Sequence, residues 1–186
     1  MQILPSNVQS RRISLSVALV AVVIGGCSLL LAPITSVAEA KSADSLIVVN
    51  EGIGPVRIGQ TPAQVEQAVG TPTSKQASSS AAEWYYDNTP PFAEIVFGGN
   101  KRVRFLAPNS ARDKTSKGIG EGSSKAQVRA AYPQATCRPQ PGPGGKTDLT
   151  CTLTKKLSGG KTIETSFTFN TANGSGGVNE VDISES

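Results

Sequence analysis

The acidic side chains are the groups in this chain best suited to acid–base chemistry. They are scattered over strand-like segments, as Glu83, Asp87, Glu94, Glu164, Glu180 and Asp182. Two carboxylates that face each other can act as acid and base in the hydrolysis of a glycosidic bond. The chain has no histidine, which excludes histidine-based triads and histidine metal sites. Because charges on adjacent strands are more often solvated surface, we do not expect an enzyme.

Three consecutive aromatic residues form the candidate site for contact with a partner. Trp84, Tyr85 and Tyr86 lie in one strand-like segment, where successive side chains point to opposite faces. We expect Trp84 and Tyr86 to fill the core of their half of the protein. Tyr85, between Glu83 and Asp87, then faces water, and exposed tyrosines are common anchors of protein interfaces.

The first 40 residues have the pattern of an export signal. Two arginines precede an apolar run over residues 13–31, and residues 38–40 read Ala-Glu-Ala, a cleavage site before Lys41. Residues 24–27 also resemble a bacterial lipobox, which would lipidate Cys27, and an uncleaved run could anchor the chain in a membrane. We expect the protein to be secreted or to lie in the periplasm or cell envelope, with a lipid anchor as the alternative.

Cleavage at that site would leave two cysteines, Cys137 and Cys151. An exported protein with two cysteines usually pairs them. Residues 138–145 between them are rich in proline and glycine, so the chain can turn back there. We expect a disulfide that stabilises the fold by about 3 kcal/mol. A redox or metal-binding pair is the alternative, although no cysteine cluster has zinc spacing.

Two segments, residues 56–70 and 119–133, share one pattern that aligns without a gap. Thr61 and Ser124 are suited to cap the N-terminus of a helix. A glutamine three residues after each completes a capping box, and apolar residues follow at helical spacing. The repeat predicts two short helices and one small unit used twice.

Three strand-like segments follow each predicted helix. They cover residues 82–87, 92–97 and 101–106, then 149–154, 161–170 and 178–184. Alternation of apolar and polar residues is typical of a sheet with one buried face. We predict an α+β fold of two tandem repeats, each a short helical segment packed on a three- to four-stranded antiparallel sheet. The predicted divisions are a signal at 1–40, a linker or strand at 41–52, and repeats at 53–115 and 116–186.

The pattern V-x-I-G-x-T-x-x-x-V-x-x-x-x-G-x-P, from Val56 to Pro72, resembles the signature of two families of bacterial exported proteins. These are the SmpA/OmlA (BamE-like) proteins and the β-lactamase-inhibitor proteins (BLIP). The resemblance implies a helical segment against an antiparallel sheet, twice in tandem in the BLIP family, and a disulfide near the position of Cys137. The chain departs from the pattern at Gln60 and Glu121, and no catalytic residue is carried by the motif.

Composition and motifs together indicate a binding protein. The net charge of +4 is ordinary, and the basic residues near 101–104 lack the interleaved aromatics of a nucleic-acid site. We expect no cofactor or metal. We expect an exported, non-catalytic binding module of the bacterial cell envelope or extracellular space that presents a sheet surface to a protein partner. The alternative is a small secreted hydrolase or ligand carrier that uses a carboxylate pair or a pocket between the repeats.

Overall fold

A computed structural model of the chain describes residues 46–88 and 93–186. The strands and helices, in chain order, are β1 (Ile47–Val48), β2 (Gly52–Ile53), β3 (Val56–Arg57), α1 (Pro62–Val69), β4 (Ser74–Ala77), β5 (Ala82–Tyr85), β6 (Ala93–Phe97), β7 (Val103–Pro108), α2 (Lys125–Ala131), β8 (Thr136–Pro141), β9 (Thr147–Lys156), β10 (Thr162–Phe169) and β11 (Glu180–Glu185). The predicted signal at residues 1–40, with its candidate lipidation site Cys27, lies outside the described residues.

Both predicted helix starts are present, with their capping boxes. The Thr61 hydroxyl accepts a hydrogen bond from the amide of Gln64, whose side-chain oxygen accepts one from the Thr61 amide, 2.8 Å away. Ser124 and Gln127 make the same pair of bonds, at 3.2 and 2.8 Å. These bonds satisfy amides that the first turn of a helix leaves free, which explains why such short segments are helical.

A large antiparallel sheet dominates the described chain, which makes the fold α+β. Its eight strands lie in the order β4-β5-β6-β7-β11-β10-β9-β8. Each helix is thus followed by a meander of four strands, and the two meanders join where β7 pairs with β11. A small three-stranded sheet of β1, β2 and β3 precedes α1. Because the central pairing is hydrogen-bonded, both halves belong to one continuous sheet.

The sequence predicted three strands after each helix, and the structure adds the edge strands β4 and β8. Neither has the alternating apolar residues of a half-buried strand, since β4 reads SKQA and β8 reads TCRPQP. Each pairs with the next strand along the chain, β4 with β5 and β8 with β9. Their extended structure therefore depends on a neighbouring strand rather than on their own side chains.

One face of the large sheet carries the core. The alternation predicted for residues 162–169 is confirmed, because Ile163, Thr165, Phe167 and Phe169 are all buried. Tyr132 of the α2 end stacks on Phe167, with ring centroids 5.9 Å apart. We call this the covered face, because both helices and the small sheet contact it.

Thr165 is the one polar residue among the buried positions of β10, and a hydrogen bond accounts for it. Its hydroxyl accepts a bond of 2.7 Å from the amide of Asn50, in the loop between β1 and β2. A buried hydroxyl without a partner would cost free energy. This bond links the small sheet to the covered face of the large one.

The loops that lead into the two helices make matching backbone contacts. The amide of Gly59 donates to the carbonyl of Val103 at 2.8 Å, and the amide of Gly122 donates to that of Val178 at 2.7 Å. Both glycines have a positive φ, 86° and 80°, a conformation that residues with a Cβ rarely adopt. The start of α1 is therefore held against β7, and the start of α2 against the segment just before β11.

The predicted disulfide between Cys137 and Cys151 is confirmed. The two residues lie directly opposite each other on β8 and β9. β8 is an edge strand that contains Pro139 and Pro141, and a proline has no amide to donate to a neighbouring strand. The amide of Gly142 donates to the Lys146 carbonyl in the same register, so by alternation the two proline nitrogens face away from β9 and cost this pairing no hydrogen bond.

Candidate functional site

The face of the large sheet opposite the helices is the candidate site, and we call it the open face. Its residues occupy the alternate positions of the strands and are partly exposed, whereas their neighbours are buried. No helix or second sheet lies over this face within residues 46–88 and 93–186. Its side chains on the central strands include Glu83, Tyr85, Glu94, Val96, Phe105, Glu164, Ser166, Asp182 and Ser184.

Tyr85 lies on the open face, as the alternation of side chains along its strand predicted. Its hydroxyl donates a hydrogen bond of 3.0 Å to the carboxylate of Glu83. Directly across from Tyr85, on β6, is Glu94. The pKa of Tyr85 is raised to about 12, first by the bond to Glu83 and then by desolvation and the negative charge of Glu94. Tyr85 is thus a neutral phenol at the side of an acidic cluster.

Trp84 and Tyr86, also candidates for partner binding, lie on the covered face. Trp84 is 7% exposed and contacts Phe97 edge to face, with ring centroids 4.7 Å apart. The Lys75 ammonium lies 4.1 Å from the centre of the indole. Tyr86 is fully buried, and its hydroxyl donates to the Gly70 carbonyl at the end of α1. These contacts make both residues part of the core, as strand alternation predicted, and of the three candidates only Tyr85 lies on the open face.

Five of the six carboxylates singled out in the sequence meet on the open face. They come from four strands, as Glu83 on β5, Glu94 on β6, Glu164 on β10, and Glu180 and Asp182 on β11. Asp87 is apart from them, because it follows the end of β5 and accepts a bond of 3.3 Å from Asn109. The sheet order, with β6 and β11 both next to β7, is what brings distant acidic residues together.

Asp182 is the most perturbed member of this acidic cluster. Desolvation is the main cause, followed by the negative charges of Glu180 and Glu164, and together they raise its pKa from the usual 3.8 to about 6. The pKa of Glu94 is also raised, again first by desolvation and then by Glu83. The cluster therefore has a field that disfavours further negative charge and attracts cations.

Sequence reasoning missed Phe105, the second aromatic residue on the open face. Val103, two residues before Phe105, and Leu106, the residue after it, are both buried. Alternation of side chains therefore cannot assign Phe105 to one face of the sheet. A bulge shifts the pairing, because Val96 lies opposite Phe105 whereas Phe97 lies opposite Val103. The extra residue reverses the side on which the following side chains emerge. The adjacent apolar pair Phe-Leu was the available signal, since one of two consecutive strand residues must face outward.

Val96 and Phe105 line a shallow groove of about 400 Å³ on the open face, together with Arg104 and Ser184. Val96 and Phe105 face each other across β6 and β7. They form a small apolar patch beside the acidic cluster. An apolar patch rimmed by charges is the usual composition of a protein-binding surface.

Four grooves among the described residues, at β8–β10, beside Glu185 and Ser186, at the β4–β5 turn and at Val96, contain at most one carboxylate each. The described residues include no group of three or more histidine, cysteine, aspartate or glutamate side chains arranged to hold a metal ion. They also include no helix with the length and hydropathy needed to cross a membrane.

Comparison with known proteins adds no relative to these observations. No family model, curated protein or solved structure matches this chain with significance.

Proposed function

We propose that this chain is an exported, non-catalytic binding module of the bacterial cell envelope or extracellular space, and that its open face binds a protein partner. The observation that carries the proposal is the eight-stranded sheet whose second face no other described element covers. Tyr85 and Phe105 supply aromatic surface on that face, and aromatic residues dominate the energetics of many interfaces.

The partner in this proposal presents basic side chains to the open face. Five carboxylates lie on it, although the chain as a whole has a net charge of +4. This separation of charge favours a cationic partner surface and steers its approach. The binding site then consists of the apolar patch at Val96 and Phe105 with Tyr85 as an anchor, and the acidic cluster beside them.

We also propose that the chain consists of two tandem copies of one unit, the arrangement of the BLIP family that it resembles. The matching capping boxes, the matching glycine contacts and the four-stranded meander after each helix support two copies of one unit. An inhibitor of an enzyme, as the BLIP resemblance would allow, or a component of an envelope assembly, as the BamE resemblance would, both use such a surface. Fold alone does not distinguish between them.

We also propose that the protein is exported and that residues 1–40 are its export signal. The disulfide supports it, because structural disulfides are typical of oxidising compartments. N-terminal sequencing of the protein isolated from its host should begin at Lys41. A lipidated N-terminal Cys27 would support the lipoprotein alternative, and a protein that retains Met1 in the cytoplasm would contradict both.

A hydrolase is the second candidate, and Asp182 is the observation that favours it. A carboxyl group with a pKa of about 6 beside ionised carboxylates is the arrangement of a general acid. The absence of a groove that gathers two of these carboxylates, among those described above, favours binding over catalysis. Hydrolysis of a glycoside substrate that is lost in Asp182→Asn would reverse this ranking.

The test uses capture from the envelope fraction by the immobilised protein, followed by affinity measurements with the captured partner. Tyr85→Ala and Phe105→Ala should each weaken binding by more than about 1 kcal/mol, the usual threshold for an important contact. Gln67→Ala, an exposed change on α1, is the matched control and should bind as the unchanged protein does. Equal affinity of all variants for every captured partner would exclude the open face as the site.

A further inference from the structure

A second groove lies on the open face at its other end, over β8, β9 and β10, with a volume of about 280 Å³. Four threonines line it, Thr136 on β8 and Thr150, Thr152 and Thr154 on β9. Thr136 lies directly opposite Thr152. The three threonines of β9 occupy alternate positions, so neighbouring hydroxyls along this strand are about 7 Å apart.

These hydroxyls form a regular polar lattice with little freedom. Threonine is β-branched, which restricts its side chain to few rotamers, and the paired strands fix the backbone. A hydroxyl can both donate and accept a hydrogen bond; that of Thr154 already donates to Glu164 and that of Thr150 is bonded to Thr168, whereas those of Thr136 and Thr152 keep both capacities. Such a surface is suited to a ligand whose own groups do both, as the hydroxyl groups of sugars do.

Arg138 and Gln140 extend the groove along β8. Neither side chain makes a hydrogen bond or an ion pair with another residue in the described part of the chain. A guanidinium group binds carboxylate, sulfate or phosphate through two parallel hydrogen bonds. The amide of Gln140 adds both a donor and an acceptor on the same strand face.

Glu164 lies at the opposite end of the groove and accepts a bond of 3.0 Å from Thr154. Arg138 pairs with Thr150, whereas Glu164 pairs with Thr154. The two charges are thus four residues apart along the strands and two strands apart across them, or roughly 17 Å. This polarity orients an anionic ligand with its charge at Arg138, and the length suits a short oligomer.

We propose that this groove binds an acidic oligosaccharide, with a sugar carboxylate on Arg138 and sugar hydroxyls on the threonine lattice. None of the lining side chains is aromatic, so stacking of sugar rings contributes nothing. Charge and hydrogen bonds must supply the affinity, which is why the ligand is acidic rather than neutral. The groove shares Glu164 with the acidic cluster, whose charge repels an anion at that end, whereas Arg138 and the threonines lie outside the surface proposed for the protein partner.

Titration calorimetry of the full chain with trigalacturonate, a trimer of sugar acids, tests the proposal, and neutral maltotriose and sodium acetate serve as comparison ligands. Trigalacturonate should bind more tightly than either comparison ligand. Arg138→Gln should weaken its binding about tenfold or more, since a hydrogen bond to a charged group contributes about 1.5–3 kcal/mol. Thr152→Val, of nearly equal volume, should weaken it about threefold through loss of one hydroxyl.

Arg129→Gln is the matched control, because it removes an exposed arginine of α2, on the covered side of the sheet, and should leave binding unchanged. Equal binding of maltotriose would show that the charge is not recognised, and equal binding of acetate would show that the sugar is not. Either result would overturn the proposal. So would unaltered affinity in Arg138→Gln, or no heat with millimolar trigalacturonate.

Discussion

Replacement of Asp182 by asparagine should stabilise the protein at neutral pH. Asp182 is a half-buried carboxylate on the open face whose pKa is raised to about 6, first by desolvation and then by the negative charges of Glu180 and Glu164. Asparagine has almost the same shape but carries no charge. The substitution therefore removes an unfavourable ionisation while it leaves the packing of β11 in place.

The sign and size of this effect follow from the two pKa values. In the unfolded chain Asp182 loses its proton near 3.8, whereas in the folded chain it keeps the proton up to about 6. The folded state therefore binds more protons over this window, and its stability falls as the pH rises from about 4 to about 6. The difference corresponds to about 3 kcal/mol at about 1.4 kcal/mol per pKa unit. Solvent screening of a half-buried group reduces this cost. We therefore expect Asp182→Asn to raise the free energy of unfolding at pH 7 by about 1–2 kcal/mol.

Urea denaturation at pH 7 and at pH 4 measures the prediction. At pH 7 Asp182→Asn should unfold at higher urea than the unchanged protein, and at pH 4 the gain should be almost lost. Glu180→Gln removes one of the repelling charges, so it should reduce the gain from Asp182→Asn in the double variant. Glu121→Gln, an exposed change outside the acidic cluster, is the control. A variant that is no more stable at pH 7, or whose gain is the same at pH 4, would refute the reasoning.

Three other predictions concern stability. Thr61→Ala and Ser124→Ala should each lower the free energy of unfolding by about 1 kcal/mol, the usual value of an N-cap, and a neutral result at either would contradict the equivalence of the two helix starts. Reduction of the disulfide, which joins residues 14 positions apart, should cost about 3 kcal/mol in urea denaturation with and without reductant. Gly177→Ala should cost about 1–3 kcal/mol, because a Cβ there would lie 2.7 Å from the backbone of the loop before α2. Gly99→Ala, where the nearest atom would be 3.9 Å away, should cost much less. Thermal unfolding of the two variants compares the costs.

Local features of the sequence predicted much of the secondary structure. A capping box depends on four residues, so Thr61 with Gln64 could be identified without knowledge of the rest of the chain. The alternation in β10 likewise sets which side chains are buried, since the strand period is two. The burial of Trp84 and Tyr86 with Tyr85 outward followed from the same rule. Where a bulge interrupts the period, at Phe105, the rule no longer applied.

The sequence by itself determined the two capped helices, the alternating strands, and the cysteine spacing that allows a disulfide. It could not determine that β7 would pair with β11, because that pairing joins segments more than 70 residues apart and depends on the whole sheet. Only this pairing brings Glu94 and Asp182 into one acidic cluster and leaves one large face open. The perturbed pKa of Asp182 has the same origin, since desolvation and charge repulsion depend on which side chains the tertiary structure brings together.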